Sequence, residues 1–387
     1  MAQPIKIARL SGPGTQKQLL RRGEQPEPAL SRSIQERNAE IFGRPITAHE
    51  VVDQIVRDVQ SEGDTAVRRY TEIFDQRTLE ELEVPRTERN RALAALGPEL
   101  RDALKIAAGR IRSFHERQVR QSWFEAEELG VFGQIVRPLE RVGIYTPGGS
   151  AALPSSLLMT AIPARVAGVE EIIVAAPPRG ENGISNVILA AAAIAGVDRV
   201  FAIGGAQAIA ALAFGTESVP QVDKIYGPGN IFVALAKQRV SGTVAIDQIA
   251  GPTETLLIAD ETADIEFVAA DLIAQAEHDP LASAILITTS PGLADSIPAE
   301  ISRQAAELER EKIIGASLEN NGGIVLVDSL EEAIDCANGY APEHLCLLVK
   351  DPWALVPRVR NAGGVFIGES SPEALGDYTA GPSHVMP

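Results

Sequence analysis

Residues 141–149 read Arg-Val-Gly-Ile-Tyr-Thr-Pro-Gly-Gly. A short apolar run ends on a polar aromatic and passes at once into proline and glycine, as a buried strand does when it turns tightly toward a helix. The pattern repeats outward from there. Strands are expected at 142–145, 171–175, 200–203, 224–226 and 243–246, separated by small-residue helices at 154–167, 185–195, 205–214 and 230–240. A second series has strands at 255–259, 284–288, 324–327, 345–349 and 365–367, with helices at 264–279, 292–311, 329–338 and 352–361. Such alternation builds mostly parallel sheets. The expected fold is α/β: two Rossmann-like parallel-sheet domains side by side, with N-terminal helices available to cover one of them. Upstream, residues 48–128 are helical by period, with Val51, Val52, Ile55, Val56 and Val59 on one apolar face and Leu100, Leu104, Ala107, Ala108 and Ile111 on another. Residues 1–45 read as a polar arm with one helix at 31–41.

The chain carries 52 acidic and 35 basic side chains, a net charge of -17. That field repels nucleic acid and anionic lipid, so neither is expected as a partner, and it tolerates a cationic substrate. The N-terminus has no apolar signal core and no apolar run is long enough to span a bilayer, so a cytoplasmic protein is expected. The two cysteines, Cys336 and Cys346, lack metal-type spacing and are expected as reduced, buried small hydrophobes.

Histidine is used sparingly. His49 and His115 lie in charged helical stretches and are expected at the surface. The other three stand among carboxylates and glycines: Gln275-Ala-Glu-His278, Glu343-His344, and the loop from Asp377 to His384. Histidine is both a common zinc ligand and a common proton shuttle near neutral pH. Gln275 and His278 are three apart in the last turn of a helix stopped by Pro280, hence on one face near the negative end of its dipole. They read either as cation ligands or as a capping pair. Glu343 and His344 sit at the amino edge of a strand. Neighbours on an extended chain point in opposite directions, so the two are expected to handle different protons rather than share one, unless they are ordinary loop charges. Asp377 reads as a hard ligand and His384 as a ligand or hydrogen-bond partner; a solvated turn is the plainer alternative.

Glycines also stand between strand and helix at 145–150, 204–207 and 226–230. Helix N-termini there favour an anion such as a diphosphate, although tight turns need glycine anyway. There is no G-x-G-x-x-G, and the second strand ends in Ala175-Ala-Pro-Pro178, with no acid to hold a ribose. Tyr145, Gln207 and Asn230 stand out as polar side chains at the carboxyl ends of parallel strands.

Together these segments resemble the histidinol dehydrogenase family. The matching stretches include Gly143-Ile-Tyr-Thr-Pro-Gly-Gly149, Gly204-Gly-Ala-Gln207, Gly227-Pro-Gly-Asn230, Ala250-Gly-Pro-Thr-Glu254, Gln275-Ala-Glu-His-Asp279, Ala341-Pro-Glu-His-Leu345 and Gly381-Pro-Ser-His-Val385, in family order over nearly the whole chain. The resemblance implies a two-step, four-electron oxidation of L-histidinol, a small amino alcohol, to L-histidine by way of L-histidinal with two NAD. It implies Zn2+, one per subunit, and a homodimer. Tyr145, Gln207 and Asn230 would contact NAD, Gln275, His278 and Asp377 would bind zinc, and Glu343 and His344 would be the acid–base pair. Thr253 and His384 would hold the substrate together with Gln275, His278, His344 and Asp377. The implied domains are an N-terminal arm (1–20), a zinc/substrate domain (21–139 plus 247–387) and an NAD-binding domain (140–246).

Two departures stand out. Thr253 occupies a position where the family usually has serine. The family also continues past the His384 motif into a tail that brings a glutamate to the substrate and a histidine to zinc, reaching into the partner. Here the sequence stops at Pro387 and that C-terminal family tail is absent, so an open zinc site and a weakened dimer are expected. The competing readings are a same-fold dehydrogenase of another polar alcohol, a zinc hydrolase with Glu343 as base, and a truncated inactive remnant.

Overall fold

The structure is a computed structural model that describes residues 5–11, 32–148, 153–179, 183–249 and 251–385. Strand β1 (Ala8–Ser11) precedes helices α1 (Arg32–Phe42), α2 (Ala48–Glu62), α3 (Asp64–Asp75), α4 (Arg86–Ala95) and α5 (Pro98–His115), then a hairpin of β2 (Trp123–Glu127) and β3 (Gly130–Gln134). The first alternating series is β4 (Arg141–Tyr145), α6 (Pro154–Val166), β5 (Glu171–Ala175), α7 (Asn186–Ala195), β6 (Arg199–Phe201), α8 (Gly205–Phe214), β7 (Lys224–Tyr226), α9 (Ile231–Val240) and β8 (Ala245–Ile246). The second is β9 (Glu254–Ala259), α10 (Ile265–Ala276), β10 (Ser283–Thr288), α11 (Pro291–Ala305), α12 (Glu311–Asn321), β11 (Gly323–Leu326), α13 (Leu330–Tyr340), β12 (His344–Leu348), β13 (Gly364–Ile367) and α14 (Glu373–Tyr378). The chain divides into two compact units: the first takes 1–26, 251–377 and 386–387, the second 27–250 and 378–385.

In the second unit five parallel strands run in the order β6-β5-β4-β7-β8. The order reverses between β4 and β7, which opens a crevice at their carboxyl ends. Helix α8 is apolar all round, so both of its sides must be covered. Val51, Val52, Ile55, Val56 and Val59 of α2 supply that cover, packed in one core with Ile209 and Leu212. A capping box holds the start of α2, with the Thr47 hydroxyl accepting from the Glu50 N–H and the Glu50 carboxylate accepting from the Thr47 N–H. Helices α4 and α5 pack with α6 and α7 in a second core. Residues 32–139 thus fall in the same unit as 140–246, whereas the expected boundaries joined them to 247–387.

In the first unit the strands are all parallel in the order β1-β11-β10-β9-β12-β13. Without β1 this repeats the strand order of the other sheet, so the expected likeness of the two series is real at the level of topology.

Several expectations give way. His115 is buried rather than solvated, since it sits one turn beyond Ile111, offers Nδ1 to the Ile111 carbonyl at 2.8 Å and packs on the Phe114 ring. Leu100 is exposed, at the solvent side of the first turn of α5. Residues 123–128, expected as helix, form β2 and the start of the hairpin turn, because aromatic and β-branched residues flank a turn that ends at Gly130, where φ is +153°. The expected helix at 292–311 breaks into α11 and α12. Pro352 and Pro357 reduce 352–361 to two short 3-10 turns. Neither cysteine is in a disulfide; Cys346 is buried and Cys336 only half-buried. Among the described residues no helix is long and apolar enough to cross a membrane.

Candidate active site

In the second unit a cavity of about 330 Å³ opens at the β4/β7 crevice and brings Tyr145, Gln207 and Asn230 together. Tyr145 closes β4; its hydroxyl accepts from the Gly205 N–H at 3.2 Å, and burial pushes the phenol up to about 12. Gln207 is 1% exposed, yet both its amide oxygen and its amide nitrogen lack a hydrogen-bond partner among the described residues. Leaving buried polar atoms unpaired costs about 1–3 kcal/mol each, so the geometry suits a polar ligand that supplies both a donor and an acceptor. Asn230 caps α9, its oxygen accepting from the Phe232 and Val233 N–H groups at 3.1 and 3.2 Å, which leaves its amide nitrogen to face a ligand. Gly227 has φ +108°, and a Cβ there would lie 2.1 Å from the Tyr145 carbonyl oxygen, so only glycine lets the two strand ends close up. These residues fit a dinucleotide.

In the first unit the candidate residues lie at the amino ends of the strands, whereas those of the second unit lie at carboxyl ends. At the carboxyl ends of the first unit's strands Asp260 accepts from the Thr262 and Lys350 N–H groups at 2.9 Å each and so ties together the chain leaving β9 and β12. Strands β9 and β12 are neighbours with His344 in register with Thr255, so Thr253, Glu254, Glu343 and His344 meet at one edge. The Glu343 carboxylate accepts from the Thr253 hydroxyl at 2.7 Å and from the Glu254 N–H at 3.2 Å. His344 is buried, its ring tilted toward Phe366. Its Nδ1 faces the Glu254 carbonyl at 3.2 Å, Glu373 Oε1 at 3.4 Å and Glu343 Oε2 at 3.7 Å. The expectation that Glu343 and His344 point apart therefore fails. Glu343 lies in the bend before β12, not within it, and its side chain folds back over Thr253.

Three acceptors around Nδ1 place the ring proton there and make Nε2 the basic nitrogen. Glu373 is 3% exposed; burial first, and the Asp377 charge next, push its carboxyl well above the ordinary range. The fully buried Gln275 amide lies between Thr253 and Glu373. Proton counting links the four groups. A threonine hydroxyl has one proton; if Thr253 gives it to Glu343, it must accept from the Gln275 NH2, whose oxygen then needs a neutral, donating Glu373. Turning the amide over reverses the Gln275 contacts: it then donates to Glu373 and accepts from Thr253 and, at 3.0 Å, from the Glu254 N–H.

His278 is not on α10, which ends at Ala276. It stands exposed in the following turn, its N–H donating to the Gln275 carbonyl at 3.2 Å. The Arg310 guanidinium, between α11 and α12, fixes that turn through the Glu277 and His278 carbonyls at 2.8 and 3.3 Å. Asp377 is half-buried on α14. His384 belongs to the second unit, with Nε2 3.2 Å from the Ser156 hydroxyl. Among the described residues no group of three or more His, Cys, Asp or Glu side chains is gathered for a metal ion. The expected set holds only two such residues, with Gln275 as the third donor. An imidazole, a carboxylate and an amide oxygen are chemistry that zinc accepts.

The histidinol dehydrogenase family profile matches residues 44–387. The chain belongs to the histidinol dehydrogenase family. It is 50% identical over 368 residues to the histidinol dehydrogenase of Deinococcus radiodurans, covering 94% of this chain and 82% of that protein. It is 53% identical over 341 residues to that of Thermus thermophilus, covering 88% and 81%. The crystal structure of the histidinol dehydrogenase from Elizabethkingia anophelis superimposes with a TM-score of 0.90 at 36% identity, covering all of this chain and 86% of that one. As a member of the histidinol dehydrogenase family the protein is an oxidoreductase of histidine biosynthesis.

Sequence reasoning missed Glu373, which touches His344 and flanks Gln275. The available signal was its place four residues before Asp377, on the same face of a short helix. Asp75 in the cavity and Ser156 against His384 were missed too, and neither carries a local signal.

Proposed function

We propose that the protein oxidises L-histidinol to L-histidine through L-histidinal, reducing two NAD in succession. The observation that carries this reading is the cluster of half-buried Thr253 and Glu343 with buried His344, beside Gln275 and Glu373. His344, its Nδ1 proton held by acceptors, takes the substrate hydroxyl proton at Nε2, and the same acceptors stabilise the imidazolium that forms. Tyr145, Gln207 and Asn230 would hold NAD, which when bound would supply the hydride acceptor. In the second step Glu343, held by Thr253 and the Glu254 N–H, takes a proton from the water that adds to the aldehyde. Gln275, His278 and Asp377 would hold one zinc ion per subunit. When bound, that ion supplies a fixed charge that grips the substrate's imidazole and amine. Thr253 and His384 contact the substrate.

The protein works as a homodimer in the cytoplasm. The hairpin supports the dimer: Trp123, Phe124, Val131 and Phe132 are exposed on it, an apolar ribbon suited to cover by a second copy. Two cysteines outside any disulfide suit a reducing compartment.

Incubating the zinc-loaded protein with limiting L-histidinol and excess NAD tests the proposal. Two NADH per histidinol are expected. Reduction of NAD by another amino alcohol but not by histidinol would move the assignment within the fold, and no reduction at all would overturn it.

A further inference from the structure

Dinucleotide folds of this topology place an acid after the second strand to take a ribose hydroxyl. Here β5 runs out into Ala175-Ala-Pro-Pro178 and offers none. The cavity nevertheless contains an acid from elsewhere. Asp75, the last residue of α3, lines it with Tyr145, Arg179 and Gln207. Its Oδ2 atom is wholly buried and has no hydrogen-bond partner among the described residues. The neighbouring cations do not cancel it: Arg37 donates to the Ile73 and Phe74 carbonyls at 3.0 and 3.3 Å, and Arg179 acts on the carboxylate through its charge. Burial pushes the Asp75 carboxyl up to about 6, so it is ionised at neutral pH while short of donors. An acceptor without a donor and the unpaired Gln207 amide therefore face one cavity. A ligand with hydroxyl donors would satisfy Asp75, and a polar group able to donate and accept would satisfy Gln207.

In folds of this topology the acid beside the second strand takes the adenosine ribose. Asp75 shares the cavity with Pro177 and Arg179, which follow β5, so it is placed to serve in that acid's stead.

We propose that Asp75 accepts a hydrogen bond from the 2′-hydroxyl of the adenosine ribose and thereby selects NAD against its 2′-phosphorylated form. The inference rests on the NAD reading above. A phosphate at that position would bring its negative charge against a buried carboxylate and would supply no donor, which is discrimination by repulsion as well as by a lost bond.

The test is calorimetric titration of the full-length protein with NAD, NADP and NAD lacking the adenosine 2′-hydroxyl; it needs no turnover. Wild type should bind NAD about tenfold or more tightly than either analogue, the scale of one charge-assisted hydrogen bond. Asp75→Asn should bring all three ligands to within about threefold of one another, because the amide neither repels a phosphate nor accepts as strongly from a hydroxyl. An unchanged NAD-to-NADP ratio in Asp75→Asn would overturn the inference. So would wild type binding the 2′-deoxy analogue as tightly as NAD, a result that stands even if the variant fails to fold. Folded wild type that binds neither NAD nor NADP would overturn the NAD reading itself, and is thereby distinguishable.

Discussion

Asp271 lies on α10, one helical turn before Gln275, and is 9% exposed. Burial alone raises its carboxyl from 3.8 to about 6, with no cation to offset it. The sign follows directly. The folded state holds the proton more tightly than the unfolded chain, so stability is fully present below the unfolded value and is lost as pH rises through about 6. Each unit corresponds to about 1.4 kcal/mol, so the ionised carboxylate costs the fold up to about 3 kcal/mol above neutrality. Asp271→Asn keeps the shape and removes the charge. The variant should therefore gain about 2–3 kcal/mol at pH ~8 and about half of that at pH ~5, where wild type is already partly protonated in the folded state. Urea unfolding followed by circular dichroism, wild type and variant in parallel at both pH values, reads the difference. An equal gain at the two pH values would show that packing rather than ionisation is responsible. A loss at pH ~8 would show that the carboxylate has a favourable partner, and the electrostatic account would fall.

Replacing His344 by Asn should lower kcat for histidinol oxidation by about 10²–10⁴-fold while leaving calorimetric NAD binding intact; turnover within tenfold of wild type would remove His344 from the role of base. Thr253→Val strips a donor from the Glu343 carboxylate and should cost about 1.5–3 kcal/mol in kcat/KM for oxidation of added L-histidinal, with Thr253→Ser restoring most of it. If the serine variant is as impaired as the valine variant, the hydroxyl is not what matters. Gln207→Leu should weaken NAD by about tenfold yet leave the melting temperature unchanged or higher, because an orphaned amide gives way to an apolar group of similar size. Weaker binding accompanied by a lower melting temperature would mean that the amide is already satisfied in the unliganded protein.

The parallel strands are legible in the sequence because strands buried on both faces read as continuous apolar runs. Strands 171–175 and 224–226 and helix 205–214 fall at their expected bounds. The hairpin at 123–134 is not legible, since all ten of its strand residues are exposed and no alternation marks an inner face. Tyr145, Gln207 and Asn230 are visible as polar side chains beside glycine turns, and the structure gathers them in one cavity. Glu343 and His344 are visible as a pair, but their mutual approach is not, because it depends on a bend just before β12. Glu373 and Asp75 look like ordinary acids on helices. Only the distant segments packed around them make one neutral-leaning and leave the other without donors, and that is information no local window holds.

Strand β1 completes its sheet by pairing with β11, more than 300 residues later in the chain. During synthesis Ala8–Ser11 emerge long before Gly323–Leu326, the edge they need. At roughly 5–20 residues per second that wait lasts on the order of tens of seconds. Strand β1 can join its sheet only after that interval. A protein deprived of residues 8–11 would then present Gly323–Leu326 as a bare apolar border, a ready template for sticking to other nascent chains.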